Sequence, residues 1–196
     1  MRFSATSLIA LLAVTSGALS APLTAIKRQA TACFVNGRTA LPAEVADGIP
    51  ALAKVVTCTA GTSVAGVPNV VSGGIDFKSI DFQKSSKSPL GFALQTFTTP
   101  ADPAQANLAR LQSQLNVYLA VEAGLRSNSG TSSSLLSRVK SAKFFIQFQI
   151  ARVRTAQGAK LGVADTVEHQ LGKVLKNAVG ATASENAQVN ALAKVL

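Results

Sequence analysis

Residues Leu135–Gly158, LLSRVKSAKFFIQFQIARVRTAQG, constrain the fold more than any other stretch of the chain. The segment is dense in large apolar side chains, carries several cations and no carboxylate, and has no Gly or Pro before its last residue. Wound as a helix, it places Val139, Ala142, Ile146, Ile150 and Val153 on one face at spacings of three or four. Lys140, Lys143, Gln147 and Arg154 flank that face, and Phe144 and Phe148 lie on the far side with Phe145 and Arg152 between. A helix that is apolar on most sides is a buried one. The segment is therefore expected to be a central rod with one basic edge reaching water. A strand is the competing reading, because Phe144, Ile146, Phe148 and Ile150 alternate with Phe145, Gln147 and Gln149. Length, the Ser/Thr cluster before it, which can cap, and Gly158 as a C′ residue favour the helix.

The N-terminus predicts a destination. Arg2, the apolar run Leu8–Val14 and the small residues after it have the layout of a secretory signal peptide over residues 1–20, cut after Ser20. Its apolar core is too short to span a bilayer, and no other segment is expected to do so. Lys27-Arg28 then resembles a site for kexin-type processing proteases, which makes 21–28 a propeptide and 29–196 a single domain; the alternative is two ordinary exposed charges. Cys33 and Cys58 are the only cysteines, so an oxidising compartment predicts one disulfide between them.

Charge is unevenly placed. The 196-residue chain has a formal net charge of +10. Basic and acidic residues balance from Gln29 to Gly124, whereas ten basic and three acidic residues follow Gly124. Such asymmetry favours an anionic partner: wall polysaccharide, lipid headgroups or a host protein. Nucleic acid is disfavoured, since the aromatic platforms that single strands stack on are missing. The bland alternative is a domain that is basic for solubility.

Further along, Asn36-Gly37 between apolar residues predicts a tight hairpin, and Pro42 a short helix that Pro50 ends, with Val45, Ile49 and Leu52 inward. Thr59–Gly74 reads as a loop with one extended piece. Ile75, Phe77, Ile80 and Phe82, from two Ile-Asp-Phe copies, are expected to plug the end of the core. Ser88-Pro89 starts a helix over 90–97, and Asp102-Pro103 starts one running to Arg126 with the stripe Leu108, Leu111, Leu115, Tyr118 and Leu119. Glu122 lies on that stripe and needs a partner; Arg152, Arg154 and His169 are the candidates. Ser127–Ser134 reads as a polar linker, a candidate for O-linked sugar. Asp165 and Glu168 read as a capping box for a helix over 166–179, and Ser184 as the cap of a last one.

The chemistry of a hydrolase is sparsely represented. His169 is the sole imidazole, no Gly-x-Ser-x-Gly elbow occurs, and Glu122 with Glu168 is the one carboxylate pair that could face each other. No catalytic residue, metal site or cofactor is assigned. The segments CFVNGRTALPAEVADG, QLNVYLAVEAGLRS, KFFIQFQIARVRTAQG and TVEHQLGKVLKNA together resemble a group of small secreted proteins of filamentous ascomycete fungi. That resemblance implies an extracellular or cell-wall location and a role as an effector or wall-associated protein, and it carries over no functional residue.

The expected molecule is therefore a secreted, mainly α-helical bundle of about four principal helices with a disulfide-closed N-terminal hairpin or cap. It is expected to be a non-enzymatic interaction protein that uses Lys140, Lys143, Arg154 and Lys160 on an anionic partner. The alternative is an extracellular carrier of a small apolar ligand in the Phe-rich core.

Overall fold

The computed structural model describes residues 32–196; the signal-peptide, propeptide and processing expectations at Ser20, Lys27 and Arg28 lie outside the described residues. The order of elements is α1 (Ala43–Ala46), α2 (Ile49–Leu52), β1 (Thr57–Thr62), β2 (Pro68–Ser72), β3 (Ile75–Asp76), α3 (Pro89–Thr96), α4 (Leu108–Ser127), α5 (Ser133–Ala156), α6 (Val167–Lys176) and α7 (Ala183–Leu192), with short 3-10 turns between. The molecule is mainly helical, with one small antiparallel sheet in the order β1-β2-β3.

The Phe-rich segment is helical. Ser132 caps α5 by accepting from the Leu135 N–H, and Gly158 follows its end with a positive φ. Val139, Ala142, Ile146 and Val153 are fully buried, and so are Phe145 and Phe148 on other faces. The strand reading fails because so long a segment satisfies its backbone internally while burying side chains in nearly every direction. It is not a lone rod, however. From Val117 to Leu125 only Leu119 of α4 keeps more than slight exposure. The two long helices form the central pair, with α3 and α6 against α5 and the sheet against α4. Of the principal helices expected, α3, α4 and α6 all pack on α5, and the small sheet on α4 is the addition that the sequence reading lacked. The stripe on α4 was legible only in part, because Ala120, Ala123 and Gly124 bury their face through small size rather than apolar bulk.

Tyr118 joins three elements. Its ring meets Phe77 and Phe97 edge-on, with centroids 5.4 and 5.7 Å away, and its hydroxyl donates to the Ile80 carbonyl at 2.8 Å. Each of these buried aromatics stabilises the fold by roughly 1.5–3 kcal/mol through removal of apolar surface from water. Phe77, Ile80 and Phe82 are buried as expected, and Ile75 is half-buried. Asp76 and Asp81, between them, cap successive 3-10 turns by accepting from the Lys78 and Gln83 N–H groups.

Several local expectations are corrected. Asn36-Gly37 makes no hairpin. The segment instead crosses the end of α4, where the Gly37 and Thr39 N–H groups donate to Ser127 Oγ and O at 3.0 and 2.9 Å. Approach is close enough that a Cβ on Gly124 would lie 2.6 Å from the Phe34 carbonyl oxygen. Ser127 is thereby fully buried and belongs to the helix, not to the linker. Hairpins instead join β1 to β2 and β2 to β3, the second through Gly73-Gly74, both at positive φ, as a two-residue turn demands. Pro50 sits in the first turn of α2, where a missing N–H is harmless, so it opens a second short helix. Asp102-Pro103 starts only a 3-10 turn, and Asn107 caps α4. Thr166, not Asp165, caps α6, and Thr182 with Glu185 forms the capping box of α7 in place of Ser184.

Candidate functional site

The chain between Cys33 and Cys58 includes a strap, residues 40–55, that packs only lightly on the body of the protein. The two cysteines form a disulfide with Cα atoms 6.0 Å apart. The strap carries α1 and α2, and these face α4, α5 and α6 across a groove of about 680 Å³. Val45, Ile49, Leu52 and Val55 line it from the strap, and Leu119, Ala123 and Phe144 from the central pair. The size lies within the range of small-molecule sites, and the walls are apolar as such sites usually are.

The charged groups of the groove are mainly cationic. Arg126, Lys140, Lys143 and Lys173 line it, against Glu44 and Glu122. Glu122 is buried and is held by Arg126 at 2.9 Å, one turn along the same helix, and by Lys143 Nζ at 2.5 Å from α5. Its partners are therefore neither Arg152, Arg154 nor His169, which corrects the sequence reading. Arg152 is buried elsewhere, bonded to Gln149, Thr99 and the Val195 carbonyl. Lys143 also sits over the Phe144 ring at 4.4 Å, and Lys173 approaches the same ring at 5.8 Å. Burial lowers the Lys143 ammonium from its ordinary range; Glu122 opposes that, and the cations Lys140 and Arg126 add to it. Lys140 and Lys173 make no ion pair among the described residues. The groove thus holds positive charge in excess of its carboxylates, beside an apolar wall.

The four expected edge residues do not stay together. Lys140 and Lys143 line the groove, and Lys143 is only 8% exposed, so it is no open cation on a wet edge. Arg154 and Lys160 are exposed and do not line it. Arg154 lies seven residues beyond Gln147, about 10 Å along the helix. Arg126 and Lys173 were missed. The spacing of Arg126 four residues after Glu122 was a usable signal, whereas Lys173 lies in the last turn of α6, where a cation needs no partner beyond the helix dipole. Val45, Ile49 and Leu52 were legible as an inward face, but what that face meets depends on where the disulfide folds the strap. His169 is exposed in the first turn of α6, and Glu168 is exposed beside it.

Residues 35–196 match a family described as Domain of unknown function (DUF7143). No curated protein and no solved structure matches the chain.

Proposed function

The chain belongs to the DUF7143 family, and we propose that it is a non-enzymatic binding protein that holds a small amphiphilic anion, an aliphatic chain ending in a carboxylate, in the groove under the strap. One observation carries this reading: Val45, Ile49, Leu52, Leu119 and Phe144 offer an apolar wall, and two cations without ion pairs, Lys140 and Lys173, stand beside it. Burial of the aliphatic chain supplies the affinity at about 25 cal/mol per Å² of apolar area, and the cations fix the orientation of the head. Lys140 and Lys143 of the expected basic edge line this groove, which lies under the strap rather than in the Phe-rich core where the sequence reading put an apolar ligand.

Secretion belongs to the same proposal. A disulfide fits an oxidising compartment, no helix among the described residues is long and apolar enough to cross a membrane, and the leader and the fungal resemblance agree. A second reading keeps Arg154 and Lys160 as contacts for wall polysaccharide or lipid headgroups, favoured by their exposure outside the groove.

Calorimetric titration with dodecanoate, dodecanol and acetate tests the proposal. Dodecanoate is expected to bind one to one, dodecanol more weakly, and acetate not at all. Leu119→Lys should abolish binding. Equal affinity for acetate and dodecanoate, or binding untouched in Leu119→Lys, contradicts it. Dodecanoate affinity should fall, without vanishing, as salt screens the head contact.

A further inference from the structure

The strap, residues 40–55, is lightly attached to the rest of the protein. Every hydrogen bond made by residues 40–55, among the described residues, stays within residues 40–56. Helix α1 buries no residue, and α2 buries only Leu52. Val45 and Ile49 are half-buried, and Val55 is 51% exposed although it lines the groove. A segment held by so few buried contacts opens at low cost. Its two ends, in contrast, are fixed. Phe34 is fully buried, Gly37 and Thr39 are clamped on Ser127, Val56 is buried, and β1 begins at Thr57. The disulfide then joins those two ends to each other.

We infer that residues 40–55 are a lid over the groove, and that the Cys33–Cys58 disulfide sets how far the lid opens and so controls release of the ligand. An occupant would give the lid the apolar contact that it lacks on its inner face, so that lid and ligand stabilise each other. With the disulfide intact, both ends of the lid stay side by side and it can only tilt. Reduction by a thiol changes that. Cys33 is the more exposed of the two, and a thiolate attacking its sulfur displaces Cys58 as a thiolate, giving a mixed disulfide. A second thiol resolves the mixed disulfide. Two external thiols are thereby oxidised to one disulfide, and Cys33 and Cys58 are left as two thiols. The first end of the lid is then tied only through Phe34 and the Ser127 clamp, and open states gain weight. If the closed state falls to a tenth of the population, apparent Kd rises about tenfold.

The inference rests on the binding proposal for its ligand, but the lid itself is read without one. Hydrogen exchange of the oxidised, ligand-free protein should show residues 40–55 exchanging as a unit well ahead of α4 and α5. Protection equal to that of α4 and α5 overturns the lid whether or not anything binds. With dodecanoate as probe, the lid should gain protection while α7 does not, and the reduced protein should bind about tenfold more weakly with its far-ultraviolet dichroism unchanged. Undiminished affinity after reduction overturns control by the disulfide. If the reduced protein unfolds, oxidised protein with residues 45 and 119 changed to cysteine and cross-linked serves instead. The closed strap should then slow both uptake and release of dodecanoate, and unchanged rates count against the lid.

Discussion

Glu122 is buried with two cations on its two oxygens, and the arrangement has a measurable asymmetry. Removing one partner of a buried pair leaves an uncompensated charge and costs about 3–5 kcal/mol, whereas replacing both by apolar or neutral groups costs far less. Glu122→Gln should therefore destabilise by several kcal/mol in denaturant unfolding, and adding Lys143→Met should recover part of the loss. Additive losses would mean that the pair is not coupled. Tyr118 offers a second test. Burial raises its hydroxyl well above 10.0, with the negative charge of Asp81 adding to the effect. The folded state therefore keeps its proton at a pH where the unfolded chain has lost one, so stability must fall as pH rises above 10. Tyr118 is the only tyrosine, and phenolate absorbance should appear together with unfolding rather than before it. In Tyr118→Phe the loss of one hydrogen bond costs about 1 kcal/mol at neutral pH, and this source of alkaline sensitivity disappears.

The elements differ in how far they can be read from the chain. Helix α5 was legible because its periodicity, its Ser cap and Gly158 all agree. The sheet was not: β1 is mostly exposed, contains Gly61 and breaks register between Thr59 and Thr62, so it shows neither alternation nor apolar weight. Gly73-Gly74 was the true turn signal, and Asn36-Gly37 misled because its glycine serves a close approach to Ser127 rather than a turn between strands. The partners of Glu122 depend on which faces of α4 and α5 meet, a matter of tertiary packing that helical spacing settles only for Arg126. Two glycines test the packing at this scale. Gly124→Ala should destabilise by about 1–3 kcal/mol, because its methyl would press on the Phe34 carbonyl and Val67. Gly172→Ala, in α6 with nothing within 4 Å of the added carbon, should stabilise by about 0.5–1 kcal/mol through helix propensity. Thermal unfolding reads both, and the same sign for the two would contradict the described contact at Gly124.

At the scale of the whole molecule, a helical pair is closed on one side by a sheet and on another by a lightly attached strap, and four cations of the C-terminal part, Arg126, Lys140, Lys143 and Lys173, meet apolar surface where that strap lies. Cross-linking by a photoreactive dodecanoate, with the labelled residues read by mass spectrometry, tests this most directly. Labels should fall on Leu119, Phe144 and the strap residues Val45, Ile49 and Leu52, and excess unlabelled dodecanoate should remove them. Labels spread over the surface, or gathered on Leu94 and Leu192 at a second apolar hollow between α3 and α7, would contradict it.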